Sequence, residues 1–398
     1  MTTEEFCGAY CVERRGTGSL KWDSLDEIFG DSELTPLWVA DMEFKAPLEV
    51  IDAIKKRAEH GAFGYGKVMD SYYEAFAAWQ KKQHGMVVEK SEIRFYTGVV
   101  GALYALVNTF TKPADAVVIC PPVYYPFYDA VLNTGRTLVT CELDNTDGVY
   151  SLDFEKFEQL VAHNNVKLFI LCSPHNPVGR VWTAGELEKM FEICKKHGAL
   201  VISDEIHQDF VNFDNKFIPA SVLSGGKYKD MMITVNSASK TFNLAGLIHS
   251  HTIIHNKEML QKYDDYIKTI GQAEANIFGM VAMEAAYRHG EEWLVNLKSV
   301  IRQNYEYAKT EFASKAPKVV ITPLEGTYLM WLDLRAYIDP EQISDFMQKK
   351  CRLAVDVGEW FSVNGKGFIR INLATNPKYV KLAVDNITSN IIFTHTTV

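Results

Sequence analysis

Three short polar clusters each follow an apolar run of strand character. SPHNPVG (173–179) follows KLFILC (167–172), DEIH (204–207) follows ALVIS (199–203), and NSASK (236–240) follows MMITV (231–235). Ligands of open parallel sheets sit beyond the carboxyl ends of the strands, so Asn176, Asp204, His207 and Lys240 can all line one crevice. A fourth piece, TGVVGAL (97–103), places Gly98 and Gly101 where a helix opens. The free N–H groups and dipole of a helix start suit a phosphate. A lysine, a carboxylate and a phosphate cradle at one sheet edge are what a pyridoxal 5'-phosphate site requires. Lys240 then forms the imine and Asp204 pairs with the ring nitrogen, whose proton makes the ring an electron sink. Asn176 can hydrogen-bond the ring hydroxyl, and Ser237 and Ser239 can reach phosphate oxygens. Tyr124 or Tyr125 of PPVYYPF can stack on the ring, worth about 0.5–1.5 kcal/mol beyond burial. Arg370 of FIRINL offers a planar two-pronged donor for a substrate carboxylate.

Each residue also has a plainer reading. Lysines are mostly solvated, Asp204 can cap a turn, Asn176 precedes a proline and suits a turn, and the two tyrosines can be core aromatics. Arg370 as a surface ion pair would be worth only about 0–1 kcal/mol. His207 reads as a hydrogen-bonding residue and not a catalyst. The convergence of the clusters is what favours the cofactor site. Rival motifs are incomplete. Ser237-Ala238-Ser239-Lys240 matches the S-x-x-K of serine acyl enzymes, but the companion S-D-N and K-T-G elements are missing. His207-Gln208-Asp209 and His249-Ser250-His251 are short patterns that occur often without a metal. Gly16-Thr17-Gly18 lacks the third glycine and preceding strand of a dinucleotide loop.

The elements that must position these residues follow from periodicity. Between about 98 and 255, apolar runs (117–120, 138–141, 167–172, 199–203, 231–235 and near Ile253) alternate with helix-period segments. Their lack of in-out alternation predicts an α/β fold, a parallel sheet covered by helices on both faces. Over 184–197, Leu187, Met190, Phe191 and Cys194 recur at three and four, and Gly198 supplies a stop. Helices are also expected near 47–60, 100–111, 257–289 and 291–314. After 290, strand-like VVIT (319–322), TYLMWLDL (327–334) and FIRINL (368–373), with a helix near 341–351, read as a smaller α+β unit. Residues 1–45 are too few for a core of their own, so they are expected to join 290–398, beside a large domain of 46–289.

Composition sets the class. The 398 residues are 47% apolar and 23% charged, as in folded globular proteins. Forty-one basic against fifty acidic residues give a net charge of −9, which argues against a nucleic-acid partner and for a small molecule. Seven scattered cysteines with no C-x-x-C pair fit a reducing compartment. MTTEEFCGAY has no leader character and no apolar run spans a bilayer, so a cytoplasmic protein is expected, with no membrane partner.

Seven motifs in order carry a family resemblance: PLWVADMEF (36–44), FGYG (63–66), PPVYYPFY (121–128), LCSPHNPVGRVW (171–182), VISDEIHQDF (201–210), SASKTFNLAGL (237–247) and GFIRINLA (367–374). Together they resemble the MalY/PatB cystathionine β-lyases, fold-type I pyridoxal phosphate enzymes related to class I and II aminotransferases. The resemblance implies a PLP-dependent carbon-sulfur β-lyase that cleaves cystathionine, cysteine or related cysteine-S-conjugates to a thiol, pyruvate and ammonia. An aminotransferase, or a regulatory protein that retains the cofactor, is the alternative. It further implies a homodimer with shared active sites, in which Tyr65 reaches the neighbouring subunit's phosphate. Tyr124 becomes the preferred stacking residue, Val99 and Val100 supply phosphate amides, and Arg370 binds the α-carboxylate with the Ala40 backbone nearby. One departure stands out: related aminotransferases carry Arg or Lys eight residues after the imine lysine, where this chain has Ile248.

Overall fold

The computed structural model describes residues 1–272 and 276–395. A seven-stranded sheet is its centre, in the spatial order Ile93–Tyr96, Ser250–Ile253, Met232–Asn236, Leu200–Asp204, Leu168–Cys172, Ala116–Ile119 and Thr137–Thr140. The last five are mutually parallel, and the strands at 116–119, 168–172 and 232–236 are buried along their whole length. Strands covered on both faces need no polar alternation, which is why they read as continuous apolar runs. Burying a Val, Leu or Ile side chain there is worth about 1.5–3 kcal/mol. The sheet is mostly parallel, as expected, and one strand departs from that direction. Ser250–Ile253 is antiparallel to both of its neighbours, Met232–Asn236 and Ile93–Tyr96. Only 13 residues lie between Asn236 and Ser250, and they hold two single-turn helices in place of a crossover helix, so the chain doubles back.

The helix Ala184–His197 shows how local signals set an element. Thr183 and Glu186 form a reciprocal capping box, Gly198 closes the other end at φ 71°, and Leu187, Met190, Phe191 and Cys194 are buried. The helix expected over 257–289 is two helices, Lys257–Thr269 and Ile277–His289. The first is followed by Gly271 at φ 62°, and Asn276 caps the second. The middle of that expectation, 273–275, lies outside the described residues. The helix Asp70–His84 was not anticipated, although Tyr72, Ala75, Phe76 and Trp79 recur at helical spacing.

Beyond residue 290, Val320–Ile321, Leu329–Asp333, Phe368–Asn372 and Asp356–Val357 form a four-stranded antiparallel sheet in that order. The early chain is stitched to this unit: Thr35–Pro36 pairs in parallel with Leu353–Ala354. The segment that follows, 38–43, has no helix or strand, so most of its backbone groups need side-chain partners. Asn372 Nδ2 donates to the carbonyls of Val39 and Asp41 at 2.7 and 2.6 Å. Asn243 Oδ1 accepts from Met42 N–H at 3.0 Å, and its Nδ2 donates to the carbonyls of Met42 and Phe44 at 3.0 and 2.8 Å.

Asn243 also sits at φ 58°, a left-handed conformation that asparagine tolerates and alanine resists. Asn243→Ala loses three hydrogen bonds and strains the backbone, so we expect a loss of about 2–4 kcal/mol, read as a lower urea midpoint. An unchanged midpoint would show that the 38–44 segment is held by other means.

Candidate active site

A cavity of about 310 Å³ opens at the carboxyl ends of the parallel strands. Asp204 ends the strand Leu200–Asp204, Asn176 lies in the turn after Cys172, and Lys240 stands in the short helix Ala238–Thr241 after the strand Met232–Asn236. All three line the cavity, with His207, Ser239, Tyr124, Tyr125, Ala40 and Arg370. Val99 and Val100 line it from the start of the helix Val99–Phe110. Gly98 is the N-cap there at φ 87° and supplies no side chain to the first amides, which leaves them to a ligand. Gly101 is needed for a different reason: a Cβ there would lie 2.7 Å from Tyr96 Cε1.

The lysine is held by backbone from a distant segment. Lys240 Nζ donates to the Ala40 carbonyl at 2.8 Å, and the same carbonyl accepts from Tyr328 Oη at 2.8 Å. Burial lowers the Lys240 pKa to about 8, with the Arg370 charge acting in the same direction. Burial raises Asp204 to about 7, with its Oδ1 accepting from Ile206 N–H at 3.1 Å. His207 is buried against Tyr328, and burial with the nearby Lys240 charge lowers it to about 3, so its ring is neutral; its Nδ1 has no partner.

Arg370 is buried and fixed from three sides. It donates through Nη1 to Asn176 Oδ1 at 2.8 Å and through Nη2 to the Trp38 carbonyl at 3.0 Å, and it pairs with Asp356. Its guanidinium lies 4.8 Å from the Phe361 ring centroid, and its Nε–H has no partner, so a donor remains for a carboxylate. Asp356 was not singled out from the sequence. Burial raises it to about 6, against the pull of Arg370, with which it shares a registered position across neighbouring strands. Trp38 and Tyr328 were missed for the same reason, since their roles come from chain-distant contacts.

One expected residue stands elsewhere. Ser237 does not line the cavity: its hydroxyl donates to the His249 carbonyl at 2.7 Å and accepts from Ser239 N–H at 3.0 Å. It caps the lysine helix in place of the expected phosphate contact. Tyr65 lies outside its own chain's cavity and is fully exposed. Ile248 is on the cavity wall at φ 47°, so the position that departs from aminotransferases brings no charge there.

The residues fit pyridoxal phosphate at three points. There is a low-pKa amine to take an aldehyde, a helix start with uncapped amides to take a phosphate, and a buried carboxylate whose charge calls for a cationic ring nitrogen.

The aminotransferase class I and II model matches residues 33–387. The chain belongs to the class I and II aminotransferase family. Within this aminotransferase family, the cystathionine beta-lyase PatB of Bacillus subtilis (strain 168) is 40% identical over 361 residues, covering 90% of this chain and 93% of that protein. The structure of cystalysin from Treponema denticola, which contains a pyridoxal 5'-phosphate cofactor, is similar at a TM-score of 0.92 and 35% identity, covering 96% of this chain and 98% of that one. The PLP-bound C-S lyase from Staphylococcus hominis matches at a TM-score of 0.90 and 33% identity, covering 96% and 97%.

A buried amine with a pKa of about 8 is protonated below that pH and nucleophilic above it. The rate at which the apoprotein captures an aldehyde at Lys240 is therefore expected to rise about tenfold per pH unit up to about 8 and then level off. A profile still rising at pH 10, followed by absorbance, would show an ordinary solvated lysine.

Proposed function

We propose that this protein is a pyridoxal phosphate-dependent carbon-sulfur β-lyase that converts cystathionine, cysteine or a related cysteine thioether, with water, to a thiol, pyruvate and ammonia. The observation that carries this reading is the low-pKa Lys240 amine in one cavity with Asp204 and the carboxylate-ready Arg370, in a chain 40% identical to a cystathionine beta-lyase. When bound, the cofactor supplies an electron sink for the charge left on the substrate α-carbon.

The chain's own residues do the rest. Arg370 holds the α-carboxylate and so fixes the α-carbon within reach of Lys240. Nζ of Lys240 accepts the α-proton, a task suited to an amine whose pKa lies near neutrality. Asp204 pairs with the ring nitrogen, and its buried charge keeps that nitrogen protonated. Asn176 has its oxygen committed to Arg370, so its NH2 is the donor left for the ring hydroxyl. Tyr124 stacks on the ring, and the Val99 and Val100 amides with Ser239 take the phosphate. His207, neutral and buried, lines the same pocket.

The family also contains aminotransferases, which need an oxoacid to turn over. Incubation with cystathionine and no oxoacid separates the two: we expect many moles of pyruvate per mole of enzyme. One turnover that then stalls would favour transamination. Arg370→Lys keeps the charge and loses the planar guanidinium, so KM for the amino acid is expected to rise about tenfold or more, a larger loss than that in cofactor affinity. An unchanged KM would remove Arg370 from substrate binding.

We place the protein in the cytoplasm as a homodimer with shared sites. Seven unpaired cysteines support the first, and no described helix is long and apolar enough to cross a membrane. An exposed stretch with Phe63, Tyr65 and Met69 supports the second, with Tyr65 reaching the partner's phosphate.

A further inference from the structure

Two histidines beside the lysine segment have no part in the reaction above. His249 immediately precedes the strand Ser250–Ile253 and His251 lies within it; both are buried. Between them stands the hydroxyl of Tyr72, 3.0 Å from His249 Nε2 and 2.6 Å from His251 Nε2. One hydroxyl has one hydrogen, so Tyr72 donates to one ring and accepts from the other. At the far end, His251 Nδ1 lies 3.1 Å from Asn236 Oδ1. Two buried atoms of this chain of four residues have no partner: Asn236 Nδ2 and His249 Nδ1.

Of the four, His249 is the one that lines the cavity. Ser250 pairs with Tyr96, so His249 falls one step further along, beside Thr97 and the Gly98 turn that opens the cradle helix. Its neighbour Ile248, in a left-handed conformation and half exposed, brings no charge to the cradle. We propose that His249 Nδ1–H is a hydrogen-bond donor to the cofactor phosphate, presented by Tyr72, His251 and Asn236. This rests on the reading that the cavity holds pyridoxal phosphate.

The hydrogen count works. If the Asn236 amide turns, its Nδ2–H donates to His251 Nδ1, His251 Nε2–H donates to Tyr72, Tyr72 donates to His249 Nε2, and the hydrogen of His249 is left on Nδ1. That arrangement uses both orphaned atoms and keeps both rings neutral, and the Asn236 oxygen takes the place where the amide nitrogen had no partner. Proton uptake by His249 reaches the same donor with the amide unturned. Burial lowers His249 to about 4 and His251 well below its usual value, which favours the neutral route.

The test compares two vitamers on the apoprotein, pyridoxal phosphate and pyridoxal, by the absorbance that appears when either is bound at Lys240. In His249→Phe, affinity for pyridoxal phosphate is expected to fall about 10- to 100-fold while affinity for pyridoxal is unchanged. Tyr72→Phe, which keeps the imidazole and removes only the hydroxyl, is expected to show a smaller loss, again confined to the phosphate form. Equal losses for both vitamers would mean a merely structural role, and no loss for either would mean no contact; each overturns the proposal. Wild-type protein that binds neither vitamer overturns instead the cofactor reading beneath it.

Discussion

An amine kept out of water, with a neutral backbone carbonyl as its hydrogen-bond acceptor, is the constraint on which this site depends. A carboxylate in that place would lock Lys240 in its charged form; the Ala40 carbonyl orients the amine and leaves its proton removable. The arrangement is costly to build, because the carbonyl must come from residue 40 and the amine from residue 240, in segments that share no strand. The clamps on 38–44 by Asn243 and Asn372 therefore belong to the chemistry as much as to the fold. Asn243 lies three residues beyond the lysine, so one turn of chain carries both the amine and the brace that positions its acceptor.

The same logic runs across the cavity. Arg370 sits mid-strand with Asp356 beside it on the next strand, and its Nη1 bond to Asn176 joins the antiparallel sheet to the parallel one. Substrate-facing and cofactor-facing side chains are thus parts of one hydrogen-bonded frame.

Most of this was legible where function and local structure coincide. The strands at 116–119, 168–172, 200–204 and 232–236 are fully or nearly fully buried, so they announce themselves as apolar runs, and polar residues at their ends stand out. The antiparallel turn of Ser250–Ile253 was not legible, because strand direction depends on the length and path of the preceding loop and not on the strand's own residues. Ser237 looked like a phosphate ligand because it has the right chemistry beside the lysine, but a serine at a helix start has a competing use as a cap, and here the cap wins. The roles of Asp356, Trp38, Tyr328 and Tyr72 were unreadable for a common reason: each acts through a partner tens to hundreds of residues away or across strands, and the local pattern around each, including the motif that holds Trp38, does not name that partner.

The pairing of Arg370 with Asp356 carries a consequence for selectivity. A guanidinium already neutralised by a buried carboxylate attracts a second anion weakly over distance, and what it retains is direction, an unpartnered N–H at a fixed angle. Recognition of an amino acid is then a matter of fit at close range, with little long-range steering for dissolved ions to screen, so ionic strength has little hold over which molecules enter.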